Sequence, residues 1–282
     1  MAIVVNTNTL SLTAQSSLNK AQSSLGTSLE RMTTGLKINR AADDAAGLSI
    51  ATNLNTQIRG SQVAQDNIQQ GVNVLQTTEG ALTSITDNVS RIRDLALQAA
   101  NGVNSTESRA AIKSEIEARI AEIDKTAAGT EFNGVKLLNG NTDLTSGMRL
   151  QVGANSSATE NSITVTDVFK SVASSAGGLN IAVGTNLDNA TNAAAYVDDL
   201  DAALKDLTEQ KSTIGAYQNR LNSTLDNLKV TVENMTASKS TIMDADIAKE
   251  SSNFTKQNIL QQASASLLAQ ANQSPSIALS LI

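Results

Sequence analysis

LDAALKDLTEQKSTIGAYQNRLNSTLDNLKVTVENMTASKSTI, running from Leu200 to Ile242, carries the clearest structural signal in this chain. Stepping alternately four and three residues visits Leu200, Leu204, Leu207, Lys211, Ile214, Gln218, Leu221, Leu225, Leu228, Val232, Met235, Lys239 and Ile242, and ten of those thirteen are apolar. An apolar repeat of 3.5 residues is the seam of packed helices, and a strand, with its period of two, cannot produce it. At 1.5 Å per residue such a helix is about 65 Å long, more than a globular domain is wide. The stretch predicts a rod.

A helix of matching length lies upstream. Its seam reads Leu54, Ile58, Ser61, Gln65, Ile68, Val72, Leu75, Glu79 and Leu82, then shifts to Ile85, Val89, Ile92, Ala96 and Ala99. The extra step at Leu82–Ile85 is a stutter, which alters a supercoil locally. Asp43 and Asp44 are placed to cap its start, and Asn101-Gly102 ends it. Ahead of it a first helix is marked by Leu18, Leu25, Leu29, Met32 and Leu36, with Gln22 at the remaining seam position and Gly35 suited to a left-handed cap. A third helix spans about Ser105–Ala127, with Ile112, Ile116, Ile120 and Ile123 on one face, and a last one about Asp246–Gln273.

Between Gly129 and about Ala195 the character changes. Asn133-Gly134, Asn139-Gly140 and Gly147 are turn signals, and the alternation over Met148–Gly153 and Ser162–Val168 suits a hairpin. Residues 171–195 are small, polar and nearly uncharged, and read as an exposed connector or small β element. The expected fold class is mainly α: a long antiparallel helical-bundle rod, coiled-coil terminal helices and a small central β-hairpin region. Residues 1–44 and 240–282 are expected to form one discontinuous terminal domain, and residues 45–239 the rod, with a solvent-facing hairpin and connector at about 141–195.

Composition narrows the function. The 282 residues include three Phe, two Tyr, one Pro and no Trp, so packing falls to Leu, Ile, Val and Ala in thin helix-on-helix contacts. The chain has neither His nor Cys, which excludes a Ser-His-Asp or Cys-His nucleophile, an HExxH zinc site and a CxxC motif. No acid cluster stands out, so no enzyme, cofactor or metal is expected. The net charge of −6 argues against nucleic acid. No stretch approaches a membrane span, and MAIVVNTNTLSLTAQ lacks the basic and apolar regions of a secretory signal peptide. The excess of bases over acids in residues 1–40 and of acids over bases in residues 244–282 weakly favours terminal helices lying side by side.

Six segments in order resemble one protein family. SLERMTTGLKINRAADDAAGLSIA (Ser28–Ala51), QTTEGALTSI (Gln76–Ile85), RIRDLALQAANG (Arg91–Gly102), TEFNGVKLLNG (Thr130–Gly140), IGAYQNRL (Ile214–Leu221) and LLAQANQSPSIALSLI (Leu267–Ile282) are similar to bacterial flagellin. The resemblance implies a structural subunit that polymerises into the flagellar filament for swimming, with terminal helices in an inner tube and rod helices in an outer one. This chain resembles a short form with a minimal central insertion. It ends at Ile282, without the final Arg of many relatives. A hook–filament junction protein shares the terminal design, and an exported coiled-coil adhesin or effector is the alternative from another class; the QANQSP…LSLI ending favours flagellin.

The resemblance also implies partners and sites. Partners are the chain itself, a flagellar export chaperone, hook-associated and cap proteins, and in a host the Toll-like flagellin receptor and cytosolic immune sensors. Export proceeds through the flagellar type III apparatus without a cleaved signal, and the absence of Cys suits an unfolded passage. Inner-tube assembly falls to Leu18, Leu25, Leu29, Met32, Leu36, Leu267, Leu268, Leu279, Leu281 and Ile282. The rod seam rests on Leu54, Ile58, Ile68, Val72, Leu75, Leu82, Leu221, Leu225, Leu228 and Val232. Arg91, Leu95, Glu115 and Arg119 match the receptor epitope, with Asp94 standing where Glu is more usual; their plain reading is ordinary rod-surface and seam contacts. Ser156, Ser157, Thr159, Ser162 and Thr164 are positions for O-linked sugars, although Ser/Thr-rich turns are more often simply solvated.

Overall fold

Asn8 opens the first helix, α1 (Thr9–Thr34), its Oδ1 accepting the Ser11 N–H at 3.0 Å, and Gly35 closes it in the left-handed region at φ 72°. Helix α2 (Ala45–Ala99) is capped by Asp44, whose Oδ1 accepts the Gly47 N–H at 2.9 Å. Asp43, expected to share that role, instead holds the preceding turn. Its Oδ2 accepts the N–H groups of Arg40 and Asn39, and those two bonds keep its carboxyl below the ordinary value. Ser105 caps α3 (Thr106–Gly129) through the Ser108 N–H at 3.2 Å.

Two short hairpins follow. Strands β1 (Glu131–Phe132) and β2 (Val135–Lys136) are joined by Asn133-Gly134, both at positive φ (50° and 79°), as a two-residue hairpin turn demands. Strands β3 (Met148–Gln151) and β4 (Ser162–Val165) pair antiparallel from Met148↔Val165 to Gln151↔Ser162. Helices α4 (Ala190–Met243) and α5 (Ile247–Leu279) complete the chain. This computed structural model describes residues 7–140, 144, 147–157, 159–174, 178–182, 187 and 189–279. Among the described residues no helix is long and apolar enough to cross a membrane.

The chain divides into two compact units, Gln57–Val232, and Met1–Thr56 with Glu233–Ile282. In the first, Arg93 pairs with Asp201, and Gln218 Nε2 donates to Glu79 Oε2 at 2.9 Å. The partners climb along α4 as they descend along α2, so the helices run antiparallel. Their seam fills one core: Leu75, Leu82, Ile85 and Ile92 from α2, Ile116 and Ile123 from α3, and Leu200, Leu207, Ile214 and Leu221 from α4 are all fully buried. Each such side chain contributes about 1.5–3 kcal/mol.

The second hairpin lies against α2, and glycines make room for it. A Cβ on Gly60 would come within 2.8 Å of Ala154 Cβ, one on Gly71 would collide with Leu150, and Asn67 Nδ2 donates to the Gln151 carbonyl at 3.3 Å.

Described residues of the stretch 171–195, expected as an exposed connector, instead enter the core. Val172, Ile181 and Leu187 are buried, as are Val165, Val168 and Phe169 just before it, and α4 already begins at Ala190. Its backbone finds partners on the helices. Asp124 accepts the Ser174 N–H and hydroxyl at 2.7 and 2.8 Å, Tyr196 donates its hydroxyl to the Ile181 carbonyl at 2.6 Å, and Gln210 donates to the Val168 carbonyl at 2.5 Å. Isolated apolar residues among small polar ones carry no periodicity, so this burial is invisible to pattern reading.

The terminal unit reaches further along both long helices than residues 44 and 240. Lys239 Nζ donates to Asn55 Oδ1 at 2.9 Å, and the turns after α1 and α4 join by Lys37 N–H to the Met243 carbonyl (2.6 Å) and Ala245 N–H to the Gly35 carbonyl (2.9 Å).

Candidate self-assembly surface

Helices α1 and α5 run antiparallel within the terminal unit, as the pairs Asn8–Ala271, Ser11–Asn272 and Arg31–Glu250 establish. The α1 seam is Ser11, Ala14, Leu18, Ala21, Leu25, Ser28 and Met32; that of α5 is Glu250, Phe254, Gln257, Gln261, Ser264, Leu268 and Ala271, every one buried or half-buried. Both follow the four–three rhythm, with small or polar residues in every second place. Small side chains let two helices approach closely, and large ones fill the intervening layers.

This differs from the expected seam. Leu18, Leu25 and Met32 do face α5, but Ala21 and Ser28, not Gln22 and Leu29, complete the set, and Leu29 is 53% exposed. Leu36 lies beyond the helix, half-buried and bridged to Asp244. Leu268 is half-buried in the seam, whereas Leu267 is 59% exposed. Leu279 ends α5 with its side chain outside the described residues, and Leu281 and Ile282 lie outside them altogether. The sequence signal for the missed positions is the seven-residue recurrence of small residues at 14, 21 and 28 and again at 264 and 271.

The outer surface of this unit carries most of the exposed apolar bulk. Of the thirteen exposed large hydrophobic side chains among the described residues, eight belong to it: Leu10, Leu12, Leu29, Ile50, Ile247, Ile259, Leu260 and Leu267. A groove of about 680 Å³ lies between α1 and α5, lined by Leu10, Ala14, Leu260, Leu267 and Ala271 among others. No charged side chain occurs in residues 1–19 or 257–282. Apolar surface rimmed by Ser, Asn and Gln, with no charge to desolvate, is suited to burial against another protein. One buried charge is matched within the unit: Glu250, 6% exposed, receives Arg31 Nη1 at 3.3 Å and Asn253 Nδ2 at 2.8 Å.

The remaining candidates lie in the other unit. Of the rod-seam set there, Ile58, Ile68, Val72, Leu75, Leu82 and Leu221 are buried and Leu225, Leu228 and Val232 half-buried; Leu54, in the terminal unit, is half-buried. Glu115 joins Arg91 at 3.6 Å and Arg119 at 3.3 Å, and Arg119 also reaches Asn88 at 3.4 Å, a cluster on α2 and α3 in which Arg91 and Glu115 are exposed and Arg119 and Asn88 half-buried. Leu95 does not share that surface; it is 3% exposed and packed in the core. Position 95 falls three residues after buried Ile92 and four before buried Ala99, on the inward face of α2. Ser156, Ser157, Thr159 and Thr164 are exposed and Ser162 is half-buried.

These features are those of a structural subunit built for helical packing. The family models for the bacterial flagellin N-terminal and C-terminal helical regions match residues 5–143 and 197–282. The chain is 36% identical to the flagellar filament 33 kDa core protein of Treponema phagedenis, over 99% of this chain and 100% of that one. It is 38% identical to the flagellin of Bacillus subtilis (strain 168), over 99% of both. A putative flagellar hook-associated protein from Vibrio parahaemolyticus covers 72% of the chain at a TM-score of 0.59, but at 15% identity it shares the fold alone. The matches define the class first: a self-polymerising subunit of an extracellular flagellar filament. The chain belongs to the bacterial flagellin family, a family of structural proteins.

Proposed function

We propose that α1 and α5 are the elements through which copies of this subunit join, residues 1–44 and 240–282 building the inner tube and residues 45–239 the surrounding rod. The exposed apolar side chains of the α1–α5 pair support this reading above all: Leu10, Leu12, Leu29, Ile259, Leu260 and Leu267 are exposed in the single chain, on the two helices that pair with each other, and residues 1–19 and 257–282 carry no charged side chain. Burying each on a neighbouring subunit contributes up to about 1.5–3 kcal/mol, repeated at every subunit of a polymer. The tail residues Leu279, Leu281 and Ile282 extend the same apolar composition.

The protein works without catalysis. It leaves the cell through the flagellar type III apparatus, escorted by an export chaperone, and meets hook-associated and cap proteins. In a host, the Toll-like receptor engages exposed Arg91 and Glu115 with half-buried Arg119, Leu95 supporting them from beneath, and cytosolic sensors read the C-terminal leucines. Surface Ser156, Ser157, Thr159 and Thr164, with Ser162, are the positions for sugars. The decisive experiment is electron microscopy of the purified chain at high concentration. Long tubular filaments are expected; a chain that stays monomeric, or stops at short rings, overturns the reading.

A further inference from the structure

The seam of the α1–α5 interface repeats every seven residues. Small residues recur in α1 at 14, 21 and 28 and large ones at 18, 25 and 32; the facing places on α5 are Glu250, Gln257, Ser264 and Ala271 in one series and Phe254, Gln261 and Leu268 in the other. Sliding one helix by seven residues, about 10.5 Å, brings the two series into step again. The repeat by itself leaves more than one register open.

The polar contacts that single out one register stand at its ends. Pro275 lies within helix α5, and a proline has no N–H to offer. The carbonyl it would have satisfied is that of Ala271, four residues earlier, in a residue 2% exposed. Asn8 Nδ2 donates to that carbonyl at 2.7 Å while its Oδ1 caps α1 through Ser11, and Ser11 Oγ donates to Asn272 Oδ1 at 2.7 Å. In any slipped register Asn8 would meet carbonyls already bonded within the helix, and the Ala271 carbonyl would be left without a partner. A buried, unpaired carbonyl is costly. At the opposite end Arg31 must find buried Glu250.

We infer that Asn8 and the proline-freed Ala271 carbonyl, seconded by Arg31 and Glu250, set the register of the terminal helices, so that Pro275 acts as a positional mark. The inference deepens the assembly reading above, because one alignment of the pair presents one arrangement of outward leucines to the next subunit.

The test uses the full chain, which has no native cysteine. Paired substitutions Ser11→Cys with Asn272→Cys, and Ser11→Cys with Ala265→Cys, are treated with dibromobimane, which spans too short a distance to report both alignments. With Asn8 intact, only the 11–272 pair should link. Asn8→Asp keeps the cap but removes the donor; it should lower the 11–272 product and raise the 11–265 product several-fold. Adding Pro275→Ala restores an N–H to the Ala271 carbonyl, so Asn8→Asp should then change the product ratio no further. An Asn8→Asp chain with the unaltered pattern, or an effect undiminished by Pro275→Ala, overturns the inference, as does failure of the 11–272 link in the otherwise native chain. Sedimentation of polymer is measured on the same samples: loss of polymer with native crosslinking strikes the assembly reading and leaves the register inference standing.

Discussion

Arg93 grips Asp201 with two prongs, Nε to Oδ1 at 2.5 Å and Nη2 to Oδ2 at 3.2 Å, joining α2 to α4 across 108 positions of sequence. Bidentate geometry fixes direction as well as distance, so the pair holds one alignment of two long helices whose leucines repeat. Both side chains keep solvent access, and water and salt screen the pair accordingly. The hydrogen bond from Arg93 holds the Asp201 carboxyl below its ordinary value of 3.8.

The sign of the pH effect follows. Between the depressed folded pKa of Asp201 and its unfolded value, the unfolded chain binds more protons, so stability rises with pH there. The contribution is complete above about pH 5 and fades as pH falls through the folded value. Carbon NMR of the Asp201 carboxyl should show a midpoint below 3.8, and Arg93→Gln should raise it toward that value. Equal midpoints in the two chains would sink the assignment.

Two leucines separate folding from assembly. Leu207 is fully buried and Leu29 is 53% exposed. Leu207→Ala should cost about 2–5 kcal/mol of monomer stability, seen as a lower thermal midpoint. Leu29→Ala should leave that midpoint within a few degrees and raise the critical concentration for sedimentable polymer. Reversed outcomes would mean that the two faces are wrongly assigned.

Gly60 tests the seat of the second hairpin. Valine there places a branched side chain where Ala154 Cβ lies 2.8 Å from the first added carbon. Overpacking costs about 1–3 kcal/mol, partly offset by leaving the helix free of a glycine, which is worth up to about 1 kcal/mol. Gly60→Val should therefore destabilise the monomer, and adding Ala154→Gly should recover part of the loss. Circular dichroism melts of the three chains decide it; no recovery in the double variant contradicts the contact.

Tyr196→Phe removes the hydroxyl that donates to the Ile181 carbonyl, while keeping the ring volume. Ile181 is fully buried, and burial pushes the Tyr196 hydroxyl up in pKa, so the group is a neutral donor at any ordinary pH. The loss should be about 1–3 kcal/mol, read by urea unfolding with an unchanged slope. A neutral result would place water, not Tyr196, on that carbonyl.

Large aliphatic residues made the long helices legible. Every four–three step from Leu200 to Ile242, and from Leu54 to Ala99, falls on a buried or half-buried position. Leu and Ile lose too much by exposure for that period to arise on a solvated face. Asn133-Gly134 likewise announced its hairpin, because few other residue pairs tolerate two successive positive φ angles. The same reliance on leucine misread α1. There the partner helix approaches so closely that Ala21 and Ser28 line the seam, while Leu29 faces outward.

The periods in the chain thus determined by themselves that it is helical and where its long helices run. Tertiary structure alone decided which small residues form the terminal seam, that Leu95, Ile181 and Leu187 lie in the core, and that α5 continues through Pro275. The physical reason is common to all three. A sequence period reports only strong, repeated preferences for burial, whereas a close helix approach, an isolated buried side chain and a carbonyl satisfied by Asn8 each depend on a partner more than a hundred residues away or on one that no period marks.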